Sequence, residues 1–223
     1  MMTDSEFSRL VAFVKNGYGI DLAKKRELVE SRLSLHISKL GCASYTKYLD
    51  TVTRGPEGAE CRAMIDRLST NHTYFFREMD AIRDFIDKAV PEILARPAGE
   101  IRIWCAAASS GQECWTLAME LGACLQLRVP LANYSILATD VSERALARGE
   151  KGIYPLAELE KIPVRFSRSC TRRVDGEHFE IAPELRPHVE WQRLNLMEPF
   201  SFTRAFDAVF CRNVMFYFDN NTR

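Results

Sequence analysis

"IRIWCAAASSGQECWTLAM", Ile101 to Met119, decides the fold. Ile101, Ile103 and Cys105 alternate as in a strand, a turn of small residues follows, and Cys114, Leu117, Ala118 and Leu121 recur at helical spacing. "YSILATD", Tyr134 to Asp140, supplies the next strand, and Ser142 is placed to cap the helix after it. Strand, helix and strand at this spacing form a right-handed crossover of a parallel sheet. "HVEWQRLNL", ending at Leu196, and "FDAVFCRN", ending at Asn213, read as two further strands. Between them and the second crossover helix, Ser167 to Ala182 carries Asp175-Gly176 as a turn signal and predicts a small antiparallel β insertion.

Outward from this α/β part, the N-terminal stretch reads as helices. Phe7, Leu10, Val11 and Val14 share one face, and Gly17-Tyr18-Gly19 breaks the run. A second helix is expected from about Asp21, with Val29, Leu33, Ile37 and Leu40 on one face and Gly41 as its C-terminal cap. Ser44 caps a third through Leu49, and Glu60 to Leu68 forms a fourth. "STNHTYFFRE", Ser69 to Glu78, has no clear period and reads as a structured loop; helical spacing resumes from Glu78 through Val90, with Arg77 at the helix start. Pro97-Ala98-Gly99 marks a break. The expected organisation is a helical domain at 1–85, a linker helix end at 86–98, and an α/β domain at 99–223 with its β insertion near 167–182.

Composition excludes several classes. Thirty Lys and Arg balance thirty Asp and Glu, so no overall cationic field draws the chain to nucleic acid or anionic membrane. Residues 1–49 nevertheless hold eight basic against five acidic residues, either a solvated face or a docking surface. Seven cysteines form no C-x-x-C pair, which suits reduced, buried thiols in the cytoplasm better than disulfides or a metal site; no metal is expected. The apolar run FSRLVAFV is too short to span a membrane.

Ligands of such sheets sit beyond the carboxyl ends of the strands. A dinucleotide is disfavoured, because Ala107, Ala108 and Ser109 carry side chains where pyrophosphate requires glycine. A ligand with ribose but no phosphate fits better, and S-adenosylmethionine is one. Asp140 can accept two ribose hydroxyls or serve only as a helix entry; Asn195 can read an adenine edge or merely turn the chain. Glu113 can close a capping box with Ser110 or meet the ammonium of the ligand's amino-acid tail, whose carboxylate would take donors such as Arg77 or Thr73.

"TNHTYFFRE", "CAAASSGQE", "ILATDVSERAL", "ARGEKGIYP" and "FDAVFCRNVMFYF" together resemble the CheR family of chemotaxis receptor methyltransferases, protein-glutamate O-methyltransferases that use S-adenosylmethionine. The resemblance runs from about residue 5 to the end of the chain. It implies a Rossmann-like methyltransferase sheet with an all-helical N-terminal domain and a small β insertion. Since the family's sheet has further strands beyond the fourth, this one is expected to be incomplete at its C-terminal edge. Gln112, Cys114 and Trp115 depart from the family's usual Glu, Pro and Tyr.

By motif position the resemblance implies cofactor contacts from Asn71, Thr73, Arg77, Ala107, Glu113, Asp140, Asn195, Leu196, Arg212 and Asn213. It sets Arg77 and Tyr217 nearest the transferred methyl group. It makes the basic second helix a docking surface, through Lys24, Lys25, Arg32 and Lys39, for the cytoplasmic domain of a methyl-accepting chemoreceptor. The product would be S-adenosylhomocysteine, and the chain is expected to act as a cytoplasmic monomer. The competing reading is a non-catalytic module that binds S-adenosylmethionine or S-adenosylhomocysteine and regulates a partner.

Overall fold

The computed structural model describes residues 2–42, 44–56, 58–96, 100–128 and 133–218, which fold around two hydrophobic cores. The first is built by α1 (Asp4–Tyr18), α2 (Arg26–Lys39), α3 (Tyr45–Arg54) and α4 (Ala59–Leu68). A capping box starts α1: Thr3 Oγ1 accepts from Glu6 N, and the Glu6 carboxylate accepts from Thr3 N. The helix runs through Gly17 and Tyr18 and stops at Gly19, whose φ of 69° is left-handed, so only the last of the three expected breakers acts.

The second helix begins at Arg26 and not near Asp21. Asp21 instead accepts from Ala23 N in a tight turn, which leaves Lys24 and Lys25 ahead of the helix and off its basic face. Ser44 caps α3 as expected, but the helix continues past Leu49 because Val52 is buried too. Leu10, Val14, Val29, Leu33, Leu49, Val52, Met64 and Leu68 are wholly inaccessible.

The chain passes from one core to the other between Leu68 and Phe75, ahead of the boundary expected at residue 85. Helix α5 (Asp80–Asp84) continues through a widened π turn, Phe85–Ala89, into α6 (Val90–Leu94). The wide turn immediately precedes Pro91, which has no N–H to give. Ile82, Phe85, Val90 and Ile93 pack on the second core, so the expected linker is part of the α/β layer. Helix does not begin at Arg77 but three residues later. The Pro97-Ala98-Gly99 break lies outside the described residues.

The second core surrounds β1 (Glu100–Cys105), α7 (Gln112–Arg128), β2 (Asn133–Asp140) and α8 (Glu143–Lys151). Next come β3 (Ile153–Pro155), α9 (Val164–Ser169), β4 (Thr171–Arg173), β5 (His178–Ile181), β6 (Val189–Arg193) and β7 (Ala208–Phe210). Four strands form a parallel sheet in the order β6-β2-β1-β7, with Ile103 opposite Ile136 and Ala208. Its central strands are buried on both faces, hence the near-continuous apolar runs. Strands β6 and β7 end three residues short of the expected Leu196 and Asn213, so residues 194–196 and 211–213 are loops at the sheet's carboxyl edge.

The antiparallel appendage has the order β3-β5-β4. Its hairpin turn is closed by the Asp175 carboxylate, which accepts from the backbone of Glu177 and His178. The expected span, 167–182, omitted β3, whose Tyr154 is fully buried against Phe75 and Phe179. Three residues are too short to show a strand period.

Candidate functional site

Segments after β1, β2, β6 and β7 converge on one cleft of about 1100 Å³, its open mouth included. Tyr18 and Ile20 from the end of α1, and Ser69 to Tyr74 with Arg77 from the aromatic loop, form the facing wall. Every expected cofactor residue, Asn71, Thr73, Arg77, Ala107, Glu113, Asp140, Asn195, Leu196, Arg212 and Asn213, lines this cleft, and so does Tyr217.

The small-residue turn has a defined shape. Ala108 N donates to Thr139 O and Ser109 N to Asp140 Oδ2, both at 2.8 Å, holding Ser109 at a left-handed φ of 51°. Gly111, at φ 88°, is the position that needs glycine: a Cβ there would lie 2.5 Å from the Trp191 ring. The lone glycine thus serves packing between the turn and β6. Ser110 and Glu113 do not form the expected capping box; the Ser110 hydroxyl donates to Gln112 Oε1 at 2.9 Å.

Glu113 instead pairs with Arg212, Oε2 accepting from Nη1 at 2.8 Å, with the two side chains only 17% and 15% exposed. Burial pushes the Glu113 carboxyl above its ordinary value, and Arg212 pulls it back. The other Arg212 nitrogen, Nη2, donates to the carbonyls of Arg77 and Glu78 and to the Glu78 carboxylate. Arg212 therefore ties the aromatic loop to the first turn of α7. Asn213, at φ 57°, reaches the Glu78 carboxylate at 3.5 Å.

Asp140 acts as the helix entry of its two sequence readings and also lines the cleft. Oδ2 accepts from Ser109 N and Oδ1 from Ser142 N, which fixes the turn and the entry of α8. Burial raises its carboxyl above the usual range, and the backbone donors work against that rise. With Val141 as a third backbone donor, the carboxylate still has acceptor capacity on the side that lines the cleft.

Asn195 is otherwise engaged: Nδ2 donates to Gly17 O and Glu198 Oε1, while Oδ1 accepts from Met197 N. Its amide braces α1 against the loop after β6.

Arg77 stands between two left-handed residues, Phe76 at φ 57° and Glu78 at φ 46°. Its Nη1 donates to His72 O at 2.9 Å and its Nε to Glu78 Oε1 at 3.3 Å, with the guanidinium over the Tyr74 ring. Asn71 Nδ2 donates to Ser69 Oγ and contacts Ser142 Oγ at 3.5 Å. Tyr217 lies in a short turn, Met215–Tyr217, with the Lys25 ammonium 5.7 Å from its ring centroid.

The four docking candidates divide. Lys24 and Lys39 are exposed and Lys25 is half-buried beside Tyr217. Arg32 does not present a free cation: its Nη1 donates to the carbonyls of Arg67, Leu68 and Ser69 and caps the C-terminus of α4.

Sequence reasoning missed Tyr18, Ile20 and Thr116 in the cleft wall, and Asp66 behind it. Asp66 Oδ1 accepts from Ser142 Oγ at 2.7 Å and Arg144 N at 3.2 Å, so α4 caps α8 across the two cores. No local pattern announces a cap supplied from 76 residues away.

A parallel sheet whose carboxyl edge holds a phosphate-free turn, with buried carboxylates where an ammonium and hydroxyls would sit, defines a nucleoside-binding methyltransferase-type domain. Residues 71–223 match the family model described as "CheR methyltransferase, SAM binding domain", and residues 5–69 the one described as "CheR methyltransferase, all-alpha domain". A chemotaxis protein methyltransferase of Borreliella burgdorferi is 37% identical over 228 residues, covering 100% of this chain and 81% of the relative. One from Escherichia coli is 33% identical over 227 residues, covering 100% and 77%. A probable chemotaxis protein methyltransferase of Rhizobium etli is 36% identical over 206 residues, covering 89% and 76%. The chain belongs to the CheR methyltransferase family, and S-adenosylmethionine is its methyl donor.

Proposed function

We propose that this protein methylates glutamate side chains of methyl-accepting chemoreceptors in the cytoplasm, producing glutamate methyl esters and S-adenosylhomocysteine. The observation that carries the reading is the juxtaposition at one cleft of buried Glu113 and Asp140 with Arg77 and Tyr217, the Lys25 ammonium lying beside the Tyr217 ring. The carboxylates suit a cationic, hydroxyl-bearing donor; the cationic rim suits an acidic acceptor. The buried acceptors fit S-adenosylmethionine: Glu113 has one oxygen beyond its Arg212 bond, and Asp140 retains acceptor capacity beyond its three backbone donors.

When bound, the donor supplies an electrophilic methyl group. A receptor glutamate, with a reference pKa of about 4.3, is ionised at neutral pH and needs no general base. The protein's task is positioning, which in aligned systems lowers barriers by roughly 7 to 11 kcal/mol. Arg77 would steer the incoming carboxylate and Tyr217 would orient it by a hydrogen bond. Lys24, Lys25 and Lys39 would meet the acidic face of the receptor helices, and the enzyme would act as a monomer.

The test is transfer of tritiated methyl from S-adenosylmethionine to chemoreceptor cytoplasmic domains, with base lability of the label marking a carboxyl ester. Arg77→Ala should cut turnover at saturating substrates by about tenfold or more. Tight binding of S-adenosylhomocysteine without base-labile transfer would overturn catalysis in favour of a regulatory binding module.

A further inference from the structure

We propose that the β appendage carries positioning residues for this reaction: Tyr154 and Glu158 fix the turn that walls the cofactor cleft and thereby set cofactor affinity. The inference rests on the cleft being the S-adenosylmethionine site.

The carbonyl of Ser110 is held directly from the appendage, and its hydroxyl through Gln112. Tyr154 Oη donates to Ser110 O at 2.7 Å. The Ser110 hydroxyl donates to Gln112 Oε1 at 2.9 Å, and Gln112 Nε2 donates to Glu158 Oε2 at 2.9 Å. Glu158 is fixed in turn by Arg148 at 2.6 Å, whose guanidinium also lies 5.5 Å from the Tyr154 ring centroid. Ser110 and Gln112 are buried, so water cannot replace a lost partner without rearrangement.

The Tyr154 ring has no freedom to look elsewhere. It is wholly buried, edge-on to Phe75 at 4.9 Å and tilted against Phe179 at 5.9 Å. Burial pushes its phenol well above the usual tyrosine range, so the hydroxyl remains a donor at every working pH.

The residue thus anchored adjoins the strained part of the turn. Ser109, left-handed and lining the cleft, is held by Asp140, by the Ala108 N bond to Thr139 O and the Gly111 N bond to Ala108 O that closes the turn, and by the anchoring of Ser110 next to it. A left-handed non-glycine persists where its surroundings over-determine it. Releasing Ser110 O removes the side-chain restraint from the appendage, lets the turn relax, and displaces both its own wall and the Asp140 carboxylate bonded to Ser109. Phe76 N, bonded to Thr116 Oγ1 while that hydroxyl donates to Gln112 O, carries the same restraint to the aromatic loop.

The experiment uses the full chain. Tyr154→Phe keeps the ring and deletes the donor; Glu158→Ala deletes the acceptor, and Glu158→Gln restores an acceptor oxygen for Gln112. Ile181→Ala, in the same buried layer but without a polar link to the turn, is the packing control. Calorimetry with S-adenosylhomocysteine gives Kd, turnover with a receptor domain separates KM for S-adenosylmethionine from kcat, and thermal unfolding gives Tm. Tyr154→Phe and Glu158→Ala should raise Kd and KM by about tenfold with kcat nearly unchanged, the size expected for one orphaned buried hydrogen bond. Glu158→Gln should recover most of the affinity, and Ile181→Ala should lower Tm at unchanged Kd.

Unchanged Kd in Tyr154→Phe, or Kd rising in step with lost Tm across all variants including Ile181→Ala, overturns the proposal. Should Tyr154→Phe fail to fold, the Glu158 pair decides, since that side chain is partly solvent-exposed. Wild-type binding without receptor methylation refutes the proposed function while leaving this comparison of affinities intact.

Discussion

Removing the Arg212 guanidinium should cost stability chiefly by stranding the charge of Glu113. The pair is 2.8 Å apart, and neither side chain is more than 17% exposed. Deleting one partner of a buried pair costs about 3 to 5 kcal/mol, and the lower end applies here because both groups touch solvent. For a chain of this size about 3 kcal/mol corresponds to a fall in Tm of roughly 6 to 12 °C. The assay is thermal and urea denaturation of Arg212→Ala, Glu113→Gln and the double variant.

If stranded charge is the cause, Glu113→Gln should rescue most of the loss, leaving about 1 kcal/mol for the donors withdrawn from the Arg77 and Glu78 carbonyls. The pH dependence gives a second reading. Burial raises the folded-state pKa of Glu113 above the 4.5 of the unfolded chain, and losing Arg212 raises it further. The penalty is therefore fully present above that raised pKa, shrinks as pH falls through it, and is gone well below 4.5, where the carboxyl is neutral in both states. The gap between Arg212→Ala and wild type should narrow toward acid. A deficit that is flat with pH and untouched by Glu113→Gln would refute the argument and assign the loss to the aromatic-loop carbonyls alone.

Gly111→Ala should destabilise by about 2 kcal/mol or more through both its left-handed φ and the Trp191 clash, whereas Gly17→Ala, helical and with nothing within 4 Å of its Cβ, should gain about 0.5 to 1 kcal/mol; equal effects in denaturant titrations would contradict this. Asp140→Asn replaces one of two acceptors that serve Ser109 N and Ser142 N, so calorimetry should show at least about a tenfold loss of S-adenosylhomocysteine affinity, with about 1 to 3 kcal/mol of stability; retained affinity would remove Asp140 from the ribose role. Charge reversal at Lys24 and Lys39 should raise KM for receptor at unchanged cofactor Kd, while Arg32→Glu should lower Tm because it uncaps α4. Receptor KM indifferent to Lys24 and Lys39 would return that face to solvation.

Several site residues were legible because their position follows from strand ends. Ala107, Asp140, Asn195 and Arg212 each follow an apolar run, and the sheet brings such ends together. What they do there was not legible. Glu113 read as half of a capping box or as the partner of an ammonium, and the structure adds Arg212, ninety-nine residues on; Asn195 read as a base reader or a chain turn, and the structure adds a brace to Gly17. Arg32 read as a docking cation, yet it closes α4.

The sequence by itself determined the order of helices and parallel strands, since burial of an amphipathic face imposes periods that a one-dimensional pattern records. It disfavoured a pyrophosphate at the turn after β1 equally directly, because side chains at Ala107, Ala108 and Ser109 are a local steric fact. Only the tertiary structure decided that the single glycine answers to Trp191, that Asp66 caps a helix of the other core, and that Tyr154 grips the turn after β1. A side-chain hydrogen bond needs two groups about 3 Å apart, whatever their separation along the chain, and no period or local motif encodes that distance.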